Sequence, residues 1–258
     1  EDYFLNGGFP EYLKNKDKDY IRTIFDNILY RDIIARYSIK KQRVIRELVN
    51  VLATNISSLF TYNSLKKSLG LANSITVKKY ISYLNNSYLF FELQKFDFSV
   101  KRQLNSPKKI YLIDPVFNQL GLNFSMNRGK ILENIAFMQL KRKGKEIYYY
   151  SSDNECDFVV KKGAKVMEIL QVCYELNDSS KERELSGLIE AMNKFKLEEA
   201  VILTYEQEQE LKIKSKNIKV LPVWKWLLTW IKGKNPLLSS AQARWQLLWL
   251  EVFEFRSV

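Results

Sequence analysis

Residues 62–93 read YNSLKKSLGLANSITVKKYISYLNNSYLFFEL. A short helical pattern at 62–69 ends at Gly70, a residue type that commonly terminates helices. A second helical pattern follows at 76–86, and the aromatic-rich segment at 88–93 has the composition of a strand. A short helix, a turn, a helix and a strand in this order predict a winged helix.

The flanking segments extend this domain in both directions. Apolar residues recur at helical spacing over residues 19–36 and again over residues 42–59. A second strand pattern at 109–113 follows a polar stretch at 101–107, which we expect to form the wing between the two strands. The helices before the quoted stretch and the two-stranded ribbon after it complete the predicted winged helix.

Beyond Asp114 the pattern is that of an α/β domain. Helical spacing marks residues 128–141 and 181–195. Apolar, β-branched and aromatic runs predict five strands, at 146–150, 155–160, 165–174, 200–204 and 218–223. The order α-β-β-β-α-β-β predicts an α/β (α+β) class with a mixed sheet and flanking helices.

These patterns divide the chain into four parts. We predict a helical connector over residues 1–41, a winged helix over 42–114, an α/β domain over 115–233 and a non-native tail over 234–258. The tail is set apart by composition, because all 30 lysines precede residue 235. A native amphipathic helix around Trp245 and Trp249 is the alternative for this last part.

The composition excludes several kinds of chemistry. Without His and with only two Cys, the chain has no histidine base, catalytic triad or zinc-finger set. No phosphate-binding loop of the G-x-x-x-x-G-K-[ST] type occurs, so we expect no ATP hydrolysis from this chain. No uncharged apolar run reaches the length of about 18 residues that a membrane span would need, and we expect no membrane partner. We expect a cytoplasmic protein with free thiols at Cys156 and Cys173.

A net charge of +12 and a pI near 9.4 suggest a polyanionic partner, for which DNA is the main candidate. A solvated lysine-rich face and a protein-docking winged helix are the alternatives. We expect eight basic residues, on the predicted recognition helix, on the helix before it and beside the wing, to contact DNA phosphates: Lys66, Lys67, Lys78, Lys79, Lys101, Arg102, Lys108 and Lys109.

Carboxylates in the α/β domain could hold a hydrated Mg²⁺ ion. Glu133 lies on the first predicted helix, Asp157 on the second strand, and Glu168 and Gln171 on the third. Oxygen ligands of this kind suit Mg²⁺, which could position a water for attack on phosphate. The alternative is structural: Glu133 complements a helix dipole and Asp157 pairs with a lysine.

Hairpin register decides which residue joins Asp157. A two-residue turn at Gly163-Ala164 places Asp157 opposite Leu170, on one face with Glu168. A three-residue loop over 163–165 places Asp157 opposite Gln171 instead, because a one-residue slip exchanges the two faces. Turn chemistry favours the first arrangement.

Six short blocks follow one another along the chain: GGFPE at 7–11, YRDI at 30–33, KKIYLID at 108–114, LEN at 132–134, DFVV at 157–160 and REL at 183–185. With these blocks, in unbroken order from about residue 3 to Leu228, the chain resembles the region after the core of prokaryotic, archaeal-type AAA+ ATPases. The resemblance implies an upstream ATPase core that is missing here and that alone would bind ATP. It also implies a winged helix followed by a domain similar to the PD-(D/E)XK restriction-endonuclease-like fold.

The resemblance also implies a site. Glu133 and Asp157 match the helix Glu and strand Asp of that superfamily's metal centre, and Gln171 stands at the acidic position of its acidic-x-Lys triplet, which favours Gln171 over Glu168 beside Asp157. Cys173 replaces the Lys that positions the nucleophile. We therefore expect the DNA-binding half of an ATPase, acting on double-stranded or branched DNA, with a degenerate nuclease domain. An active Mg²⁺-dependent endonuclease using Glu133, Asp157 and Gln171, or a protein-docking module, is the alternative, and oligomerisation is left open.

Overall fold

A computed structural model describes residues 2–120 and 127–232 of the chain. It consists of two compact units, and the division falls between Ile135 and Ala136. The predicted mixed α/β class is confirmed, because a three-stranded antiparallel sheet and a six-stranded mixed sheet are both accompanied by helices. The predicted tail, 234–258, lies outside the described residues.

The first unit opens with helices. They are α1 (Asp2–Asn6), α2 (Pro10–Asn15), α3 (Lys18–Asn27), which continues as a π-helical segment (Ile28–Ala35), and α4 (Gln42–Thr54). On α4 the predicted apolar spacing is confirmed, since Ile45, Leu48 and Leu52 are buried together.

The order predicted for a winged helix follows. Its elements are β1 (Leu59–Phe60), α5 (Tyr62–Ser68), α6 (Ser74–Asn86), β2 (Phe90–Gln94), α7 (Val100–Asn105) and β3 (Lys108–Leu112). The three strands form an antiparallel sheet in the order β1-β3-β2.

Two elements differ from the prediction. The helix predicted over 42–59 ends at Thr54, because Ser57 takes a positive φ of 56° and its N–H donates to the carbonyl of Ile110, 2.7 Å away. That bond brings the chain into β1. The predicted wing at 101–107 contains the helix α7. Ser99 caps the first turn of this helix, because its side chain accepts a hydrogen bond from the N–H of Arg102.

Asp114 joins β3 to the first loop of the chain. Its carboxylate accepts hydrogen bonds from the N–H groups of Gly8 (2.8 Å) and Val116 (2.9 Å), and a 3₁₀ turn, Pro115–Leu120, follows. Gly7 has a φ of 70°, and a side chain there would collide with Asp114 because its Cβ would lie 1.8 Å from Oδ1. Two of the blocks quoted above therefore meet in one contact.

Helix α8 (Arg128–Arg142) contains the division between the units. The second unit continues with β4 (Glu146–Ser151), β5 (Glu155–Lys162), β6 (Lys165–Val172), α9 (Asp178–Phe195), β7 (Glu199–Thr204), β8 (Gln209–Ile213), β9 (Lys216–Pro222) and α10 (Val223–Lys232). The strand order is β4-β5-β6-β7-β9-β8, in which β6, β7 and β9 are parallel. The sequence patterns identified seven of these elements and missed β8 and α10.

The β5–β6 hairpin combines features of both registers that the sequence allows. Its turn has two residues, with Gly163 at a φ of 61°, and Lys162 stands opposite Lys165. An irregularity next to Lys161 then shifts the register by one residue, so that Phe158 stands opposite Leu170. Continuing this register places Asp157 beside Gln171, and the prediction of Gln171 as its neighbour is confirmed.

Helix α9 packs closely against this sheet. Leu188, Ala191 and Met192 are buried on its inner face, and Gly187 lies against the backbone of Glu155. Among the described residues, no helix is both long enough and apolar enough to cross a membrane.

Candidate functional sites

The first candidate site is the outer face of α6. The helix begins after Asn73, whose side chain accepts the N–H of Ile75 at 2.7 Å. Its inner face buries four residues at helical spacing, namely Val77, Tyr80, Ile81 and Leu84. The opposite face is an exposed stripe, which we call the α6 stripe, made of Ile75, Lys78, Lys79, Ser82 and Asn86.

The chain segment that contains the α6 stripe carries charge of one sign. Residues 48–91 contain four lysines and no acidic residue. Lys67 on α5 is exposed and Lys66 is half-buried, while Lys78 and Lys79 are both exposed on α6. A capping box of Thr61 and Ser64 holds the start of α5. This segment therefore carries its lysines without an acidic residue of its own, although the half-buried Glu92 that follows it interacts electrostatically with Lys78.

The predicted wing residues fall into two groups. Lys101 and Arg102 are exposed on α7, where the Arg102 Nε donates to both carboxylate oxygens of Asp97 at 3.0 Å. Lys108 is buried and donates from Nζ to the carbonyls of Leu104 (2.9 Å) and Ser106 (3.0 Å), so it stabilises the C-terminal end of α7.

The burial of Lys108 also has an electrostatic side. Its Nζ lies 5.0 Å from the centroid of the Tyr62 ring, and Tyr62 donates from its hydroxyl to Glu92 at 2.8 Å. Burial lowers the pKa of Lys108 and raises the pKa of Glu92. These groups form an interior polar cluster, and Lys108 is removed from the predicted DNA contacts.

The prediction that Lys109 contacts DNA is corrected for the same reason, because Lys109 is also buried. Its side chain is only 2% exposed, and Nζ forms an ion pair with Glu133 Oε1 at 2.9 Å. The Tyr111 hydroxyl donates to the same oxygen at 2.7 Å. The adjacent Asn134 exchanges two hydrogen bonds with the backbone of Leu112. Glu133, predicted as a metal ligand, thus serves the first unit as the partner of a buried cation.

The second unit contains a buried carboxylate cluster. The Asp157 Oδ2 accepts the N–H of Val172 at 2.9 Å, and the Asp157 N–H donates to Gln171 Oε1 at 3.1 Å. The Gln171 Nε2 in turn donates to Glu184 Oε2 on α9 at 2.6 Å. All three side chains are buried. Gln171 therefore links the backbone of Asp157 to the carboxylate of Glu184 in the interior.

Cys173 and Arg183 complete the carboxylate cluster. Burial and the carboxylates of Glu184 and Asp157 raise the pKa of the Cys173 thiol to about 12, so the thiol is neutral at physiological pH. The Arg183 guanidinium, largely exposed, pairs with Glu184 Oε1. Cys156 is also buried, and both cysteines are free thiols as predicted.

The side chains predicted to hold Mg²⁺ do not fit that role as they stand. The Gln171 oxygen accepts the Asp157 N–H, and Glu133 faces the Lys109 ammonium. Glu168, the alternative ligand, pairs with Lys145 at 3.1 Å. Among the residues that the structure describes, no three His, Cys, Asp or Glu side chains stand close enough to hold a metal ion. Each of these oxygens has a protein partner where Mg²⁺ would need open ligands and water.

Glu184 was missed as a site residue, although a signal was available. On α9 it shares one stripe with Gly187, Leu188, Ala191 and Met192, all of them buried. A carboxylate at an inward position of an amphipathic helix needs a polar partner in the core. Gln171 is that partner.

Two family models match the chain. Residues 1–124 match a domain of unknown function, DUF8612, and residues 128–226 match a second one, DUF4143. The uncharacterized protein MJ1544 of Methanocaldococcus jannaschii is 37% identical over 243 residues, which cover 87% of this chain and 54% of that protein. An uncharacterized protein of Haemophilus influenzae is 25% identical over 240 residues, covering 88% of this chain and 57% of that protein.

The chain thus spans about half the length of the curated relatives it matches. No solved structure matches it.

Proposed function

We propose that the chain binds duplex DNA through the α6 stripe, as the DNA-engaging part of an AAA+ ATPase. The observation that carries the proposal is the run of exposed lysines on α5 and α6 within a segment, 48–91, that lacks acidic residues. The major groove of DNA is wide enough to admit a helix such as α6. The lysines of α5 and α6 would then contact the phosphates along the two edges of the groove.

Two further observations support the proposal. The net charge of +12 favours association with a polyanion. DUF4143, which matches the second half, is often found with AAA ATPases, in keeping with the resemblance of the six sequence blocks.

We propose further that the second unit is a nuclease-like domain that does not cleave DNA. Gln171 is occupied as a bridge between Asp157 and Glu184, and the neutral Cys173 thiol cannot stabilise phosphate charge as a lysine would. Arg183 is the cation of this cluster, and it is paired with Glu184. These contacts favour the non-cleaving form over the active endonuclease.

The test is a double charge reversal, Lys78→Glu with Lys79→Glu, measured by duplex binding over a series of salt concentrations. Each lost phosphate contact should reduce the slope of log K against log salt by about 0.9, so the double variant should lose up to about 2 units of slope. Affinity should fall about tenfold or more at moderate salt.

The matched control is Lys14→Glu with Lys18→Glu, because both lysines are exposed on α2 and α3 and the change in net charge is the same. The proposal predicts nearly full binding for this control. Equal losses in both double variants, or no loss in either, would contradict an interface at α6.

Protein docking through α7 is the second candidate. Three large apolar side chains on or beside this short helix are more than half exposed, namely Phe98 (73%), Val100 (68%) and Leu104 (54%). Binding to a partner through these residues would depend little on salt, whereas binding to DNA would weaken steeply. Replacing Phe98 and Leu104 with Ser would reduce partner binding and leave the salt slope for DNA unchanged.

A further inference from the structure

The two ends of the second unit carry opposite charge. Residues 136–232 are nearly balanced, with 17 basic and 15 acidic side chains. At one end, which we call the hairpin end, α8 and α9 finish and β6, β7 and β9 begin. The hairpin end comprises residues 141–146, 161–168, 194–199 and 212–216. These residues include twelve basic and four acidic side chains.

The opposite end, which holds the carboxylate cluster, is acidic. It comprises residues 151–157, 173–184, 204–210 and 222–226, with ten acidic and three basic side chains. Asp157 and Glu184 belong to this end. A phosphate backbone would therefore be repelled from the end that resembles a nuclease site and attracted to the other.

The backbone accounts for the crowding at the hairpin end. Glu146 stands opposite Lys161 on neighbouring strands, so the α8–β4 and β5–β6 connections lie side by side. Gly144, at a φ of 63°, closes α8, and the N–H of Lys145 donates to the carbonyl of Leu140. Tight turns thus bring separate basic segments together at the end of the sheet where β6, β7 and β9 begin.

Local pairing explains only part of this charge. Lys161 pairs with Glu146 at 3.3 Å and Lys145 with Glu168 at 3.1 Å, while cations at the end of α8 complement its dipole. Lys162 and Lys165 are different, because they are exposed and stand directly opposite each other across the hairpin. Like charges in that position destabilise a hairpin, and a bound anion would relieve the repulsion.

We propose that the hairpin end is a second DNA-binding surface, which contacts the phosphate backbone without reading bases. The inference rests on the proposed function in one respect, namely that the ligand of the chain is duplex DNA. It assigns the second unit a binding role at the end away from the carboxylate cluster. Salt-dependent attraction by clustered lysines is sufficient for such a contact.

The experiment compares two triple variants of the full chain. The first replaces Lys162, Lys165 and Lys212 with Gln; all three are exposed, and Gln adds no new repulsion. The control replaces Lys14, Lys18 and Lys40 with Gln, which are exposed residues of the first unit, and removes the same charge. Duplex DNA affinity is measured across a salt series, and thermal midpoints verify folding.

We expect the hairpin-end variant to lose between about one and three units of salt slope and the control to lose none. Its thermal midpoint should be unchanged or higher, because a repulsive cross-strand pair is gone. Affinity and slope equal to those of the control would overturn the inference.

The outcomes separate this inference from the proposed function. Loss of binding with Lys78→Glu and Lys79→Glu but not with the hairpin-end variant would overturn only the inference. Loss with the hairpin-end variant alone would support it and would reject the α6 stripe. No salt-dependent duplex binding by the unaltered chain would overturn both. Binding to phosphatidylserine vesicles that the same three substitutions abolish, with DNA binding intact, would also overturn the inference.

Discussion

Gln171 shows how a single amide can link the backbone of one buried acidic residue to the carboxylate of another. It accepts from the backbone of Asp157 and donates to Glu184, while Asp157 takes a further bond from Val172. A glutamate at this position would add a third negative charge to the interior, whereas the amide offers both a donor and an acceptor. The residue that weakens the resemblance to a nuclease therefore stabilises this cluster.

Replacing Gln171 with Ala should lower the free energy of unfolding by about 2 to 3 kcal/mol at neutral pH. The substitution leaves the Asp157 N–H and the Glu184 carboxylate without this partner in a buried site. Urea unfolding followed by circular dichroism measures the change. The control is Gln209→Ala on the exposed face of β8, which should stay within about 0.5 kcal/mol. Equal stability of the two variants would show that the bridge contributes nothing.

Among the elements, α9 and the sheet depend on one close approach. A Cβ at Gly187 would lie 1.9 Å from the carbonyl oxygen of Glu155 and 2.8 Å from its carbonyl carbon. Both atoms belong to the backbone, so they cannot move aside as a flexible side chain could. The glycine sets how near α9 comes to β5 and therefore lets Glu184 reach Gln171.

We expect Gly187→Ala to destabilise the protein by about 3 kcal/mol, because the helix must lift away from the strand. Gly129→Ala on α8 is the matched control, since its nearest atom would be 3.5 Å away and alanine favours a helix. That variant should be as stable as the parent or more stable by about 0.5 to 1 kcal/mol. Thermal unfolding of both proteins tests this, and a harmless Gly187→Ala would refute the close contact.

At the level of the whole molecule, α8 belongs to both units. Its residues Glu133 and Asn134 bond to β3 in the first unit, whereas Phe137 packs against Phe158 in the second. The family matches divide the chain between 124 and 128, before this helix begins. The first unit thus uses residues that the second family model includes.

Replacing Asn134 with Ala should loosen the first unit, although the residue lies in the part matched by DUF4143. The change removes both bonds to the backbone of Leu112, at a cost of about 2 kcal/mol. Hydrogen exchange should accelerate in peptides of β3 and stay unchanged in peptides of β6. The exposed Asn193→Ala is the control. Faster exchange in β6 alone would contradict the prediction, because it would show that Asn134 stabilises the second unit and not the first.

The sequence predicted elements well where the signal was local. The predicted ends of α8, α9 and β4–β7 lie within a few residues of the observed ends, because periodicity and capping act over short distances. β8 was missed because it is an edge strand whose residues are mostly charged or polar and exposed. α7 was missed because six residues carry too little periodicity for detection.

The site was less predictable, since it depends on contacts between distant segments. Lys108 and Lys109 have the sequence context of exposed wing lysines, yet both are buried, and Lys109 is neutralised by Glu133, 24 residues away. Glu184 is linked to Asp157 through Gln171, a side chain on a third element. A charged side chain can be buried where an oppositely charged or polar partner compensates it, and the neighbouring residues in the sequence do not reveal that partner.

The sequence by itself determined the fold class, the order of most helices and strands and the excess of positive charge. These follow from short-range sterics, periodicity and composition, which need no knowledge of distant residues. The tertiary structure alone decided the shift that brings Asp157 beside Gln171, the enclosure of Lys109 and the separation of charge between the two ends of the second unit. Each of these depends on which segments meet across the sheet, where packing and electrostatics between distant residues outweigh local preference.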